Sequence, residues 1–268
     1  MKFLRKLAWI ILLTVAGLSA MASVLSPAGY AMQFRKEPSA EPSRQHWLGT
    51  DELGRDRFAR LLYGTRISLG LAPVAALLAT ALAATIGGGA GYLGGRWQRG
   101  MTVMIDLFLC LPWLFLLVIA RAMLPLNVSP IVSVLVTFGL LGALGWAGPA
   151  RVVAASVTAL RDSECVLQAR AVGTTEWRIL LRHILPRLLP ILSAQFLILV
   201  PVFVLSEANL GMLGLGVVEP LPSWGSLLRE MESLYGLTSA PWRLVPLGLL
   251  MLVVNSLQLV MGDEETSA

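Results

Sequence analysis

Six stretches of mostly apolar residues, near 8–26, 68–93, 101–124, 130–150, 188–206 and 242–261, constrain this chain more than any motif in it. Each is about 20 residues long, the length an α-helix needs to cross the hydrocarbon of a bilayer. In lipid every backbone polar group must be satisfied within the protein, and a helix does this unaided. The expected fold class is therefore all-α integral membrane, with six transmembrane helices. Composition agrees: 56% of residues are hydrophobic and 14% charged, with a mean hydropathy of +0.73. One soluble core of 268 residues would not hide that much apolar surface, so membrane lipid is the first partner implied. The first stretch follows Lys2, Arg5 and Lys6 and reaches Ala20-Met21-Ala22, which resembles a signal-peptide cleavage site. Its apolar run exceeds the usual 7–15 residues of such a signal, so an uncleaved first span is expected.

An even number of spans puts both termini on one side. Lys2, Arg5, Lys6, Arg96 and Arg99 assign that side to the cytoplasm, as do Arg151, Arg161, Arg170, Arg178, Arg182 and Arg187. Residues 27–66 vote the other way, with Arg35, Lys36, Arg44, Arg55, Arg57, Arg60 and Arg66 on the outer side. The net charge of +5 thus belongs largely to span flanks, which excludes a nucleic-acid partner. Cys110 and Cys165 are too few for a disulfide framework, and His46 and His183 stand outside any Cys/His cluster. No metal site is expected.

Several patterns inside the spans resemble chemistry. Gly89 to Gly94 matches GxGxxG but closes an apolar span instead of following a strand, so it reads as helix packing. Gly87, Gly91 and Gly95, at four-residue spacing, would let helices approach closely in lipid. No GxxxxGK[ST] occurs, and no nucleophile–base pair marks a catalyst. Asp106, Arg121 and Glu207 are ionisable residues near membrane depth. Asp106, Glu207 and the neighbouring Asn209 are candidates for a polar pathway or gate; interfacial placement or an internal packing pair is the alternative.

Between spans four and five lies a charged island, about 160–187. Residues 160–172 read as a helix that Gly173 ends at the position where a left-handed conformation suits glycine. Thr174 is a candidate cap for a second helix, with Glu176 in its first turn. There Trp177, Leu180, Leu181, Ile184 and Leu185 fall on one predicted face and Arg178 and Arg182 on the other, before Pro186. The result is a helical hairpin that either lies on the lipid surface or docks a soluble partner.

Gln168-Ala169-Arg170-Ala171-Val172-Gly173, then nine residues, then His183-Ile184-Leu185-Pro186, resembles the EAA loop of bacterial ABC importer permeases. It departs at Leu167, where an acid is usual, at Gln168 and at His183. Leu48-Gly49-Thr50-Asp51-Glu52-Leu53-Gly54-Arg55-Asp56, with Arg60-Leu61-Leu62-Tyr63-Gly64, is similar to the segment before span two in C-type permeases of the dipeptide/oligopeptide/nickel importers. Glu207 to Gly216, and Pro222-Ser223-Trp224-Gly225, also resemble that family, over about residues 45–263.

The resemblance implies an ABC importer type I permease fold: an N-terminal helix and periplasmic segment (1–66), a permease core (67–262) and a short cytoplasmic tail (263–268), which relatives usually extend. It implies a bacterial inner-membrane subunit, not an enzyme, with a second homologous permease, two cytoplasmic ATPases and a substrate-binding protein as partners. ATP and magnesium would be bound by the ATPases, leaving this chain with no cofactor. Gln168 to Thr174, with Glu176, would form the ATPase-docking coupling helix. Peptides are the implied cargo. Nickel chelates, opines or oligosaccharides are alternatives within the fold, and a non-transporting membrane scaffold is the alternative outside it. The loop after span five, with Trp224 and Trp242 near its ends, would meet the binding protein or form an outer gate; both tryptophans are alternatively interface anchors.

Overall fold

The computed structural model describes residues 2–26, 29–125, 128–231 and 240–261. The expected tail at 263–268 and residues 232–239 of the loop after span five lie outside them. All regular elements among the described residues are helical, joined by loops that hold two isolated bridges, Gln33 with Arg55 and Thr50 with Asp56. Five helical stretches are long and apolar enough to cross a membrane: Phe3–Ala20, Arg57–Leu93, Pro130–Arg161, Glu176–Met212 and Pro241–Met261. A bent pair, Gly95–Cys110 with Trp113–Ala122, makes a sixth if it is counted as one span.

The elements run α1 (Lys2–Ala20), α2 (Ala22–Leu25), α3 (Arg57–Leu93), α4 (Gly95–Cys110), α5 (Trp113–Ala122), α6 (Pro130–Leu144), α7 (Ala147–Arg161), α8 (Glu164–Ala171) and α9 (Glu176–Ile179). A π turn at Leu180–Ile184 leads into α10 (Leu185–Met212). The short α11 (Trp224–Arg229), a 3₁₀ turn at Pro241–Leu244 and α12 (Val245–Met261) complete the chain.

Several spans depart from the apolar pattern. α3 begins at Arg57 instead of near 68, because Asp56 caps it: its Oδ1 accepts the Ala59 amide at 3.0 Å. At 37 residues α3 is roughly 55 Å long, well beyond a hydrocarbon core of about 30 Å. The expected continuous span 101–124 is instead broken between α4 and α5 by an 82° bend. Pro112 lacks an amide hydrogen, and Leu111 before it is pushed to an extended conformation (φ −83°, ψ 131°). The fourth span does not stop near 150 but continues through α7 to Arg161.

The chain divides into two compact units. The first comprises Met1–Ala72, Ala120–Phe138 and Pro201–Ala268. In it α1 packs on α12, and the buried side chains include Trp224, Phe203, Leu210 and Val253. The second comprises Pro73–Ile119 and Gly139–Val200. It holds one cluster of Ala83, Ile105, Trp146, Ala147 and Ala150, and another of Val153, Val157, Val166, Ile179, Ile184 and Leu188. A Cβ at Gly87 or Gly91 would run into the backbone of α7, at Ala150 and Ala154, so these two glycines set the α3–α7 approach. Gly95 does not join them. With Gly94 it turns the chain at positive φ (68° and 58°), and a Cβ on it would meet open space.

Candidate functional site

The charged island folds, within the second unit, as two short helices closed at a glycine corner. The helix expected over 160–172 is interrupted: α7 ends at Arg161, and extended Ser163 (φ −71°, ψ 148°) starts α8. Val172 closes α8, and Gly173 follows with φ +79°. The Gly173 amide donates to the Arg170 carbonyl (2.9 Å) and the Thr174 amide to the Ala169 carbonyl (3.0 Å). These paired bonds are the Schellman closure, which satisfies carbonyls the helix end would otherwise leave free. Thr175, not Thr174, occupies the cap position of α9, and its side chain makes no capping bond. The corner needs one more residue because Thr174 is already committed to closing α8.

A charged clasp spans the corner. Arg170 donates from Nε to Glu176 Oε1 (3.0 Å) and from Nη2 to Oε2 (3.1 Å), a two-pronged pair. Tyr92, at the end of α3, donates its hydroxyl to the same carboxylate. The base of the hairpin is tied to α3 by Arg161, whose Nη1 donates to the Gly91 carbonyl at 3.0 Å. Cys165 Sγ lies 3.5 Å from His183 Nδ1, a contact between α8 and the π turn that neither residue announces in sequence.

The apolar face differs from the predicted one. Ile179, Ile184 and Leu188 turn inward, whereas Trp177, Leu181 and Leu185 are exposed. The reason is the π turn: it accommodates one extra residue, so positions five apart, Ile179 and Ile184, share a face. The i+3/i+4 spacing mixed the two sets. Outward from the hairpin therefore stand Leu167 (52% exposed), Val172 (84%), Trp177 (68%) and Leu181 (42%). Gln168 and Ala171 are exposed beside them. Every expected docking residue, Gln168 through Thr174 and Glu176, thus sits at or beside the corner.

The pathway candidates scatter. Asp106, in α4 of the second unit, pairs with Arg151 of α7 (3.5 Å). Glu207 lies in the first unit, fully buried in α10, while Asn209 two residues on is exposed. Arg121 is buried and donates to Ser133 Oγ at 3.3 Å.

Around Glu207 the family-like segments interlock. Its Oε2 accepts from Ser68 Oγ (2.9 Å), and Ser68 Oγ accepts from the Trp224 amide (3.2 Å). Trp224 Nε1 donates to Thr65 Oγ1 (2.9 Å), and its ring is fully buried, so it is no interface anchor. Ser223 and Ser226 form a reciprocal capping box at the start of α11. Gly211 and Gly225 meet backbone to backbone, where any side chain would collide. Glu207→Gln keeps an acceptor for Ser68 and is expected to melt near the wild type. Glu207→Ala strands a buried hydroxyl and is expected to cost about 1–3 kcal/mol, read as a lower Tm in detergent. Equal loss in both variants would assign the role to the charge and refute the hydrogen-bond account.

A second constellation in the first unit went unread in the sequence. Arg60, fully buried, donates to both Glu219 oxygens (Nη1–Oε2 3.1 Å, Nη2–Oε1 2.7 Å) and to Glu230 Oε1 (3.1 Å). Arg55 bridges Asp51 (2.6 Å) and Glu219 (2.5 Å), and Arg57 pairs with Glu230 Oε2 (3.1 Å). Burial acts upward on the Glu219 carboxyl, but Arg60 and Arg55 outweigh it and hold it below the usual range. Burial prevails at Glu230 and pushes it up against the pull of Arg60 and Arg57. His46 Nδ1 lies 2.9 Å from Asp56 Oδ2 and so steadies the residue that caps α3.

Comparison with known proteins joins these observations. Residues 61–262 match the family described as binding-protein-dependent transport system inner membrane component. The dipeptide transport system permease protein DppC of Bacillus subtilis is 34% identical over 220 residues, 82% of this chain and 67% of that protein. The oligopeptide transport system permease protein OppC of the same organism is 31% identical over 255 residues, covering 95% and 81%. DppC of Alkalihalophilus pseudofirmus is 33% identical over 250 residues, covering 92% and 78%.

Proposed function

Since the chain belongs to the family of binding-protein-dependent transport system inner membrane components, we propose that it forms half of the translocation pathway of an ATP-driven importer for di- and oligopeptides. It is a permease subunit and not itself an enzyme. Its partners are a second, homologous permease, two cytoplasmic ATPases that bind ATP and magnesium, and an external substrate-binding protein. On this reading the bent α4–α5 pair counts as one of six spans, so both termini share a side, and the arginines of the charged island support the cytoplasm as that side, with the segment before α3 outside.

One observation carries the coupling role: Leu167, Val172, Trp177 and Leu181 stand exposed along a closed hairpin, with Val172 and Trp177 beside its corner. Large apolar residues left exposed beside the charged Arg170–Glu176 pair favour a protein contact. The hairpin can transmit the force of that contact because its corner is fixed at three levels. The Schellman bonds fix the backbone, the Arg170–Glu176–Tyr92 clasp fixes the two arms, and the Arg161–Gly91 bond fixes its base to α3. Displacement passes through packed two-state elements and is lost in slack ones. Leu167 stands where the usual loop has an acid, which makes the contact more apolar at that point of α8, and Gln168 adds an amide beside it.

The assembled complex, reconstituted in proteoliposomes with ATP inside and binding protein outside, is expected to accumulate labelled di- and oligopeptides. Uptake of a nickel chelate, an opine or an oligosaccharide in place of peptides would overturn the substrate. No ATP-dependent uptake of any of these solutes would overturn the transport reading.

A further inference from the structure

A cleft of about 720 Å³ opens in the first unit between the segment before α3 and the stretch from Gly211 to Glu230. It is within the size range of pockets that enclose small molecules. Most of its charges are already spent. Asp51, Arg55, Arg57, Glu219 and Glu230 line it, and all are tied to one another or to Arg60. Two lining charges are not. Glu52 and Arg229 are exposed and, among the described residues, have no hydrogen bond or ion pair.

These two differ in sign and come from different walls, Glu52 from the segment before α3 and Arg229 from the end of α11. Arg229 is also given a seat. A Cβ at Gly214 would fall 2.9 Å from its Nη1, so the guanidinium rests against a position that only glycine leaves open at φ +74°. The arrangement is a neutral, rigid floor carrying one free cation and one free anion. A ligand that answers both has a carboxylate and an ammonium on one small body. A short peptide with free termini is such a ligand, and a guanidinium is the side chain best shaped to take its carboxylate.

We propose that this cleft is a hand-over subsite for short peptides, with Arg229 receiving the free carboxylate and Glu52 the free amine. The inference rests on the peptide-import reading above and adds recognition of both termini by the permease itself. It gives a role to charges that neither the hairpin nor the Glu207 site uses.

The test is uptake by the complete transporter in proteoliposomes, with unaltered binding protein in every arm. Three probes are compared: Ala-Ala, its C-terminal amide and its N-acetyl derivative. Arg229→Gln is expected to raise the half-saturating concentration of Ala-Ala about tenfold and to leave that of the amide unchanged. Glu52→Gln is expected to do the same for Ala-Ala and to leave that of the N-acetyl form unchanged. Ratios within one preparation cancel differences in expression or folding between variants. Equal shifts for all three probes would overturn the subsite and assign the cleft to docking of the binding protein. Unchanged ratios in both variants would overturn it as well. If the unaltered complex takes up none of the three probes or any longer peptide, the peptide reading falls and this inference with it. Normal peptide uptake without the crossed pattern removes this inference alone.

Discussion

Gly173→Pro is expected to abolish ATP-driven uptake while leaving the chain inserted in the membrane. Proline fixes φ near −65°, and the position requires +79°. It also removes the amide that donates to the Arg170 carbonyl, so one of the two bonds closing α8 is lost outright. With the corner opened, Arg170 and Glu176, six residues apart in sequence, no longer face each other, and the clasp with Tyr92 goes too. Gly173→Ala separates conformation from volume. A Cβ there meets nothing within 4 Å, so alanine incurs only the left-handed penalty of about 1–2 kcal/mol. It should slow uptake and not end it. The measurement is uptake per ATP hydrolysed, beside co-purification of the ATPases with each variant. Proline at 173 with normal coupled uptake would refute the docking assignment.

Arg60→Ala is expected to be the most destabilising single change in the first unit. Removing Arg60 leaves Glu219 to Arg55 and Glu230 to Arg57, so the cost falls below the value of about 3–5 kcal/mol for a buried charge left wholly unpaired. Here two partners are affected, Glu219 and Glu230. Arg60→Lys should fall between, because an ammonium keeps the charge but not the fork that grips both Glu219 oxygens. The pH dependence carries a sign. Glu219 is held below its ordinary value in the folded protein, so its stabilisation is complete above about pH 4.3 and fades as pH falls through the lowered value. Without Arg60 the upward effect of burial is less opposed, and that acid-side loss should shrink. Melting temperatures in detergent between pH 3 and pH 7 would check both statements. An Arg60→Ala protein as stable as the wild type would mean that the network is not held together by its buried cation.

What the sequence made legible follows the range of the interaction that fixes each feature. Apolar spans are read from local composition: five of the expected segments fall on long apolar helical stretches with moved ends, and the other, 101–124, is split by the 82° bend. The Gly173 corner was legible because a helix end, a glycine and a following helix lie within a dozen residues. The bend at Pro112 was less so: prolines are tolerated inside membrane helices, and Pro73 sits within α3 without ending it. The Arg60–Glu219 pair joins residues 159 apart, beyond any periodicity. A faint signal was present, since three arginines at 55, 57 and 60 need counter-charges if they are not to face solvent. The place of Trp224 was left open for a similar reason. An aromatic residue near a span end suits an interfacial belt, and only Thr65 and Ser68 across the fold make it a core residue.

The π turn at Leu180–Ile184 has a consequence for how the protein could have changed over time. One residue of α-helix turns the chain by about 100°. A single added residue, absorbed as a bulge, therefore re-aims everything before it relative to everything after it, at no cost to the helix that follows. In this chain that residue sets the azimuth of Trp177 and the corner against the axis of α10. The hairpin's heading and the outward faces of α10 can thus be varied separately, with five residues acting as the adjustable joint between them.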